Sequence, residues 1–184
     1  MKLPIVAFGS PVLKKVATEI DKDYPELDKL IDNMWNTMEK ASGVGLAAPQ
    51  IGKSIRLFII DSSLMMDEGE EDKGIQEVFI NAEMLEETGK KWTFEEGCLS
   101  IPDVRAGVER HETIKIKYYN ADWELQERTF DGLTARVIQH EYDHIEGILF
   151  TDYLKPLKKR MLKKRLQKIS KGDIDVAYKM KFPG

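Results

Sequence analysis

The most restrictive feature of the sequence is the segment His140-Glu141-Tyr142-Asp143-His144. At 100° per residue, its two histidines share one helix face with Leu133 and Val137, and that stripe would face the core. Imidazoles on a core-facing stripe are costly unless a partner satisfies them, and histidines four residues apart can bind one ion. The segment therefore predicts a buried, metal-binding helix over residues 133–145.

The rest of the chain alternates between helical and strand patterns. A short helix is expected from Ser10-Pro11, and a longer one from Pro25 to near Ser42-Gly43. Strands are expected at 56–60, 77–80, 92–94, 112–119 and 123–130. An apolar stripe of Leu154, Leu157, Met161, Leu162, Leu166 and Ile169 predicts a C-terminal amphipathic helix.

We therefore predict an α+β fold with antiparallel sheets around a central metal-binding helix. No proline- or serine-rich linker divides the chain, so a single domain over residues 1–184 is expected. The content of 42% hydrophobic and 33% charged residues is typical of a folded protein. No apolar run has the length of a membrane span or signal peptide, so we expect a cytoplasmic protein with no membrane partner.

Two histidines need a third ligand to form a catalytic site. The extended zinc-protease pattern would continue with Gly147, which is present, but its third histidine position holds Phe150. After Asp152 the remaining acids, Asp173 and Asp175, lie beyond the basic segment. The third ligand must therefore come from upstream of the helix.

The upstream candidates are His111, Cys98 or a carboxylate. We expect His111 to face solvent at a strand edge. Cys98 is the single cysteine, which excludes an internal disulfide and a four-cysteine zinc site. Two histidines and one thiolate leave a fourth position for water, so Cys98 is preferred as the third ligand. Glu141 is placed to handle the proton of that water.

Three separated motifs resemble the signature motifs of the bacterial peptide deformylases. They are Gly-Val-Gly-Leu-Ala-Ala-Pro-Gln at 43–50, Glu-Gly-Cys-Leu-Ser at 96–100 and Gln-His-Glu-Tyr-Asp-His at 139–144. The resemblance implies a metal-dependent hydrolase that removes the formyl group of N-formylmethionine from nascent polypeptides. It implies Cys98, His140 and His144 as ligands of one divalent metal, with Fe²⁺ favoured and Zn²⁺, Ni²⁺ or Co²⁺ also suited to these ligands.

The resemblance also implies the remaining roles in the site. Glu141 would act as general base and then acid, and Gln50 would stabilise the oxyanion together with the backbone N–H of Leu99. Arg136 stands where the family often has an apolar residue near the pocket mouth, so we expect it to modulate methionine binding without abolishing it. The substrate-binding residues would be Gly43, Val44, Gly45, Phe94, Glu96, Gly97, Leu133 and Val137.

Charge is distributed unevenly along the chain. The net charge of −4 combines an acidic stretch at 67–74, interpreted as a solvated loop longer than in compact family members, with a segment at 155–171 whose charges are all basic. This basic helix predicts docking onto a polyanion such as ribosomal RNA, with no specific DNA partner. Two alternatives remain open at this stage, a general metallopeptidase and a non-enzymatic ribosome- or RNA-binding module.

Overall fold

The computed structural model describes residues 1–183. Its strands are β1 Ile5–Val6, β2 Gly45–Ala47, β3 Leu57–Asp61, β4 Gln76–Cys98, β5 Ile101–Tyr119, β6 Leu125–Asp131 and β7 Met180–Lys181. Strands β2 to β6 form one antiparallel sheet in chain order, and β1 pairs with β7 in parallel. The described residues also contain the α-helices α1 Leu27–Lys40, α2 Gly132–Ile145 and α3 Pro156–Lys171. The predicted α+β class is confirmed, while the single domain over 1–184 stays a prediction.

Strands β4 and β5 form a hairpin of 23 and 19 residues, much longer than the short strands expected at 77–80, 92–94 and 112–119. The sequence signal was incomplete because residues 85–91 are exposed and mostly charged, so no apolar run marks them as strand. Four register shifts bend the ladder, and the last of these lies between Glu96 and Cys98. The bend brings the end of β4 over α2.

Helix α2 is the centre of the fold. It packs against β2, β3, β5 and β6, and ten of its 14 residues are buried. A helix that is buried on most of its surface normally carries apolar residues all round, but this one carries charged and polar side chains. Those side chains must find partners inside the protein, and they build the site described below.

Helix α1 is shorter than the sequence suggested. It starts at Leu27 instead of Pro25, because Glu26 adopts a left-handed conformation with φ of 54°. It ends at Lys40, and Ser42 in the following turn also has a positive φ. Its apolar stripe faces the core as expected, with Met34 fully buried.

The C-terminal helix differs from the expectation in which side chains it buries. Ile169 is fully buried and Leu162 and Leu166 are half-buried, but Leu157 and Met161 are 67% and 69% exposed. The helix touches the body of the protein mainly through its C-terminal half, so its first turns project into solvent. The segment at 67–74 is mostly exposed, in line with a solvated loop. Among the described residues, no helix combines the length and apolar character needed to cross a membrane.

Candidate metal centre and active site

The end of β4 and the middle of α2 bring Cys98, His140 and His144 together. One donor atom from each of the three lies within 4.8 Å of the others, and Cys98 Sγ is 3.5 Å from His144 Nε2. His111 takes no part, since it is half-buried on β5 with Nδ1 3.2 Å from the Gly89 carbonyl oxygen. Of the upstream candidates for a third ligand, Cys98 is therefore the one that reaches the histidines.

The pKa values of the two histidine rings are shifted in opposite directions. Burial lowers the pKa of His144 well below its usual value, which keeps the ring neutral, as a ligand must be. Burial also acts to lower the pKa of His140, but hydrogen bonds to Cys98 and Glu96 hold it well above its usual value. A thiolate and two imidazoles are donors that Fe²⁺, Zn²⁺, Ni²⁺ and Co²⁺ all accept, so the residues fit a divalent metal.

Glu96 orients the His140 ring by a hydrogen bond to its Nδ1 atom. Its Oε1 lies 2.9 Å from His140 Nδ1, which leaves Nε2 of that ring free to face Cys98. Arg110 binds both carboxylate oxygens, at 2.7 and 2.9 Å, and Arg136 Nη1 donates to Oε2 at 2.8 Å. Although burial disfavours its charge, these hydrogen bonds hold the pKa of Glu96 well below its usual range.

The same network continues to Asp143 in the last turn of α2. Arg110 Nη1 donates to Asp143 Oδ2 at 2.8 Å, and Tyr153 Oη donates to the same oxygen at 2.8 Å. Arg110 and Glu96 are each less than 10% exposed. A buried ion-pair network therefore fixes α2 against β4 and β5 at the level of the ligands.

Glu141 stands beside this centre with a carboxylate oxygen free. The side chain is 4% exposed, and Oε2 is buried without a hydrogen-bond partner. Burial raises the pKa of the Glu141 carboxyl to about 7, so near neutral pH the group can both accept and donate a proton. An unpartnered buried carboxylate oxygen next to metal-binding side chains is an expected place for a reacting water.

Gln50 is held with its amide nitrogen toward Cys98. The backbone N–H of Ala47 donates to Gln50 Oε1 at 2.9 Å, which fixes the orientation of the amide. Gln50 Nε2 then lies 3.2 Å from Ser100 Oγ and 3.5 Å from Cys98 Sγ. The amide N–H groups of a buried side chain thus face the centre, where they can meet a developing negative charge.

A cleft of about 540 Å³ opens over these groups. Its walls are Gly43, Val44 and Gly45 on one side, and Gly97, Cys98 and Leu99 on the other. A smaller pocket of about 110 Å³ adjoins His140 and Glu141 and is lined by Phe94, Val137 and Met65. Apart from Leu133, every residue that the sequence analysis assigned to substrate binding lines either the cleft or the smaller pocket.

Three details of the sequence interpretation need correction. Leu133 lines a separate cavity with Ile75 and Phe130, because it lies a full turn before Val137 and faces β6. The Glu96 carboxylate is hydrogen-bonded to Arg110, Arg136 and His140. Only the backbone of Glu96 is therefore left to contact a substrate. Arg136 does line the small pocket, but it is 2% exposed and bound to Glu96, so it forms a buried part of the pocket wall.

Sequence reasoning missed several residues that build the site. Arg110, Asp143 and Tyr153 carry the buried network, and Met65 completes the small pocket. Arg136 offered a signal, because an arginine one helical turn before His140 on a core-facing stripe needs a buried carboxylate.

The sequence and the fold of this chain are similar to those of known proteins. A family model described as polypeptide deformylase matches residues 2–160. The peptide deformylase of Christiangramia forsetii is 57% identical, covering 100% of this chain and 97% of its own length. The crystal structure of a peptide deformylase from Legionella pneumophila has a TM-score of 0.81 and 38% identity, over 94% of this chain and 98% of that one. The Thermotoga maritima structure has a TM-score of 0.73 and 40% identity, over 85% and 99% of the two chains.

Proposed function

The chain belongs to the polypeptide deformylase family, and we propose that its cleft hydrolyses the formamide bond of N-formylmethionyl nascent peptides and releases formate. The observation that carries the proposal is the grouping of Cys98, His140 and His144 beside the unpartnered carboxylate oxygen of Glu141. Nascent formylated chains emerge from ribosomes in the cytoplasm, so this activity would be cytoplasmic.

Cys98 Sγ, His140 Nε2 and His144 Nε2 would hold the metal. Fe²⁺ is the ion we propose, with Zn²⁺, Ni²⁺ and Co²⁺ as substitutes that the same donors accept. When bound, such an ion polarises a water molecule and lowers its pKa toward about 7. Glu96 supports this role, because the hydrogen bond to Nδ1 fixes the tautomer of His140.

Glu141 would move the proton. As the water oxygen forms a bond to the formyl carbon, the Glu141 carboxylate accepts the proton that this water loses. The C–N bond then breaks, formate leaves, and Glu141 returns the proton to the departing amine nitrogen. Its elevated pKa, caused by burial, matches a group that must accept and donate in one cycle.

Gln50 and Leu99 would stabilise the negative charge on the carbonyl oxygen. Gln50 Nε2 is directed toward Cys98 by the hydrogen bond of its Oε1 to Ala47. The Leu99 N–H lies one residue after the ligand Cys98, at the cleft wall. Donors fixed in advance in a buried site cost little reorganisation during the reaction.

The edge of β2 would bind the substrate backbone. β2 is the terminal strand of the sheet, so one of its edges has no neighbouring strand. The Val44 carbonyl accepts from Asp61 on the β3 side, at 2.8 Å, so the N–H and C=O of Gly45 face the free edge along the cleft. An extended peptide could add there as a strand, with the methionine side chain in the pocket formed by Phe94, Val137 and Met65.

Helix α3 would dock the enzyme on the ribosome. All charged residues of its sequence are basic, and Leu157, Met161, Lys164 and Lys168 follow one exposed face. A cationic face with two exposed apolar side chains suits RNA phosphates beside a protein surface.

The direct test is formate release from formyl-Met-Ala-Ser, using protein prepared without oxygen and loaded with Fe²⁺ or Ni²⁺. We expect release of one formate for each free amine formed. No release with either metal would overturn the proposed function. Cleavage of internal peptide bonds in unformylated peptides would instead indicate a general peptidase.

A further inference from the structure

We propose that Tyr178 is a positioning residue of the reaction, because its hydroxyl holds the Leu99–Ser100 turn that follows the metal ligand Cys98. The inference rests on the proposed function, in which the Leu99 N–H stabilises the oxyanion. Tyr178 lies in the segment after α3, beyond the residues 2–160 that match the family model. The motif residues alone therefore do not complete the oxyanion site in this chain.

The turn that Tyr178 contacts needs outside support. β4 ends at Cys98 and β5 begins at Ile101, and these two residues pair, so Leu99 and Ser100 form a two-residue connection. Such connections favour turn types with positive φ, which match the twist of the strands. Neither Leu99 nor Ser100 has a positive φ. The conformation of the Leu99–Ser100 turn is therefore not one that a two-residue hairpin connection would favour by itself.

Three hydrogen bonds from distant parts of the chain supply that support. Tyr178 Oη donates to the Leu99 carbonyl oxygen at 2.6 Å. The backbone N–H of Phe8 donates to the Ser100 carbonyl oxygen at 2.9 Å, and Gln50 Nε2 lies 3.2 Å from Ser100 Oγ. Of these three, the bond from Tyr178 is the one made to Leu99 itself.

Tyr178 is itself held in place by the pairing of the two ends of the chain. The N–H groups of Ile5 and Ala7 donate to the carbonyl oxygens of Lys179 and Lys181, each at 2.9 Å. Alternate residues of the segment turn inward, and Met180 and Phe182 pack on the same apolar cluster as Ile101. The hydroxyl of Tyr178 is thus presented from a fixed backbone.

The consequence is a fixed direction for the Leu99 N–H. Anchoring the Leu99 carbonyl restricts rotation about the backbone of the same residue, and an oxyanion donor is effective to the extent that it is oriented beforehand. The residues from Asp175 to Tyr178 also line the cleft, so a substrate-binding role must be distinguished. Positioning of the donor affects kcat, whereas loss of a binding contact affects KM.

Tyr178→Phe tests the inference, since it removes the hydroxyl and keeps the ring. We expect kcat for formyl-Met-Ala-Ser to fall about tenfold while KM changes by less than about twofold. Amide hydrogen exchange in residues 97–101 should become faster in the metal-loaded variant, and its metal content should stay equal to that of the wild type. Tyr119→Phe is the matched control, because Tyr119 packs against Trp123 and does not line the cleft.

Unchanged kcat together with unchanged exchange in Tyr178→Phe would overturn the inference while leaving the proposed function intact. A rise in KM alone would also overturn it, by showing that the segment only binds peptide. A wild-type protein that releases no formate would overturn the proposed function, and this inference with it. Melting temperatures of both variants exclude a general loss of folding as the cause of a lower kcat.

Discussion

The backbone of Gly45 lies directly against the carboxylate of Glu141, with no room for a side chain between them. A Cβ on Gly45 would sit 2.6 Å from Glu141 Oε1 and 2.8 Å from Glu141 Cγ. The glycine thus lies on the free edge of β2 and also leaves the space that the Glu141 side chain occupies. Two motifs far apart in sequence are fitted to each other at this contact.

Gly45→Ala should therefore displace Glu141. We expect kcat for formate release to fall about 100-fold or more, because a shift of about 1 Å in a catalytic group has effects of that size. Bound metal should be retained, since the atoms that an added Cβ would meet first all belong to Glu141 and none to a ligand. Gly107→Ala is the control, since its Cβ would meet only the Thr93 methyl group. Equal rates for the two variants would contradict the role of this contact.

Glu141→Gln should separate metal binding from turnover. The amide keeps the shape of the side chain but cannot accept the proton of water, so we expect kcat to fall by about 10²–10⁴-fold. Metal content, measured by elemental analysis, should equal that of the wild type because Glu141 is not among the three ligands. Turnover near the wild-type rate would refute the proton-transfer role.

Glu96→Gln should weaken both the fold and the metal site. The change leaves Arg110 and Arg136 buried without their shared carboxylate, which costs about 3–5 kcal/mol for a broken buried pair. Replacing the charged acceptor of His140 Nδ1 by a neutral amide oxygen weakens this hydrogen bond and should lower metal affinity about 10–100-fold. Urea unfolding of the metal-free protein and competition with a chelator measure the two effects separately.

The neighbouring Glu95→Gln provides the control for that variant, because Glu95 is exposed and its side chain makes no ion pair among the described residues. We expect it to change unfolding free energy by less than about 0.5 kcal/mol. A similar loss in both variants would show that the buried network contributes little.

The grouping of Cys98, His140 and His144 could be predicted from sequence because each of these residues lies in a short local motif. Helical periodicity places His140 and His144 on one face. Elimination of downstream ligands leaves upstream candidates, and the chemistry of a thiolate favours Cys98 among them. The partners of Glu96 could not be predicted in this way. Arg110 comes from β5 and Arg136 from α2, and an ion pair between elements leaves no periodic pattern in the chain.

The extent of the hairpin and the role of the C-terminal segment were also beyond sequence reasoning. The exposed middle of β4 is specified by pairing with β5, not by apolar alternation. Leu133 was expected in the pocket from the family resemblance, but it lines a separate cavity, while Val137 lines the small pocket. Tyr178 reaches Leu99 only because β7 pairs with β1, a contact between opposite ends of the chain.

Metal removal should expose the Cys98 thiol to reagents. The chain has one cysteine, so thiol titration reports on this site alone. We expect one reactive thiol per chain in the metal-free protein, and a rate about tenfold or more slower after Ni²⁺ is added, because a bound metal occupies the thiolate. Equal rates with and without Ni²⁺ would show that Cys98 is not a ligand.

Reversing charge on α3 should weaken ribosome binding without affecting catalysis. Lys164 and Lys168 lie on the exposed face that also carries Leu157 and Met161, and none of these four residues lines the cleft or the small pocket. We expect the double change Lys164→Glu and Lys168→Glu to lower affinity about tenfold or more in co-sedimentation at low salt, since phosphate contacts are lost and replaced by repulsion. Formate release from a short peptide should stay at the wild-type rate. The control of equal charge is the double change to glutamate at the exposed lysines 90 and 91 on β4. Equal ribosome binding by the two variants would show that the docking surface lies away from α3.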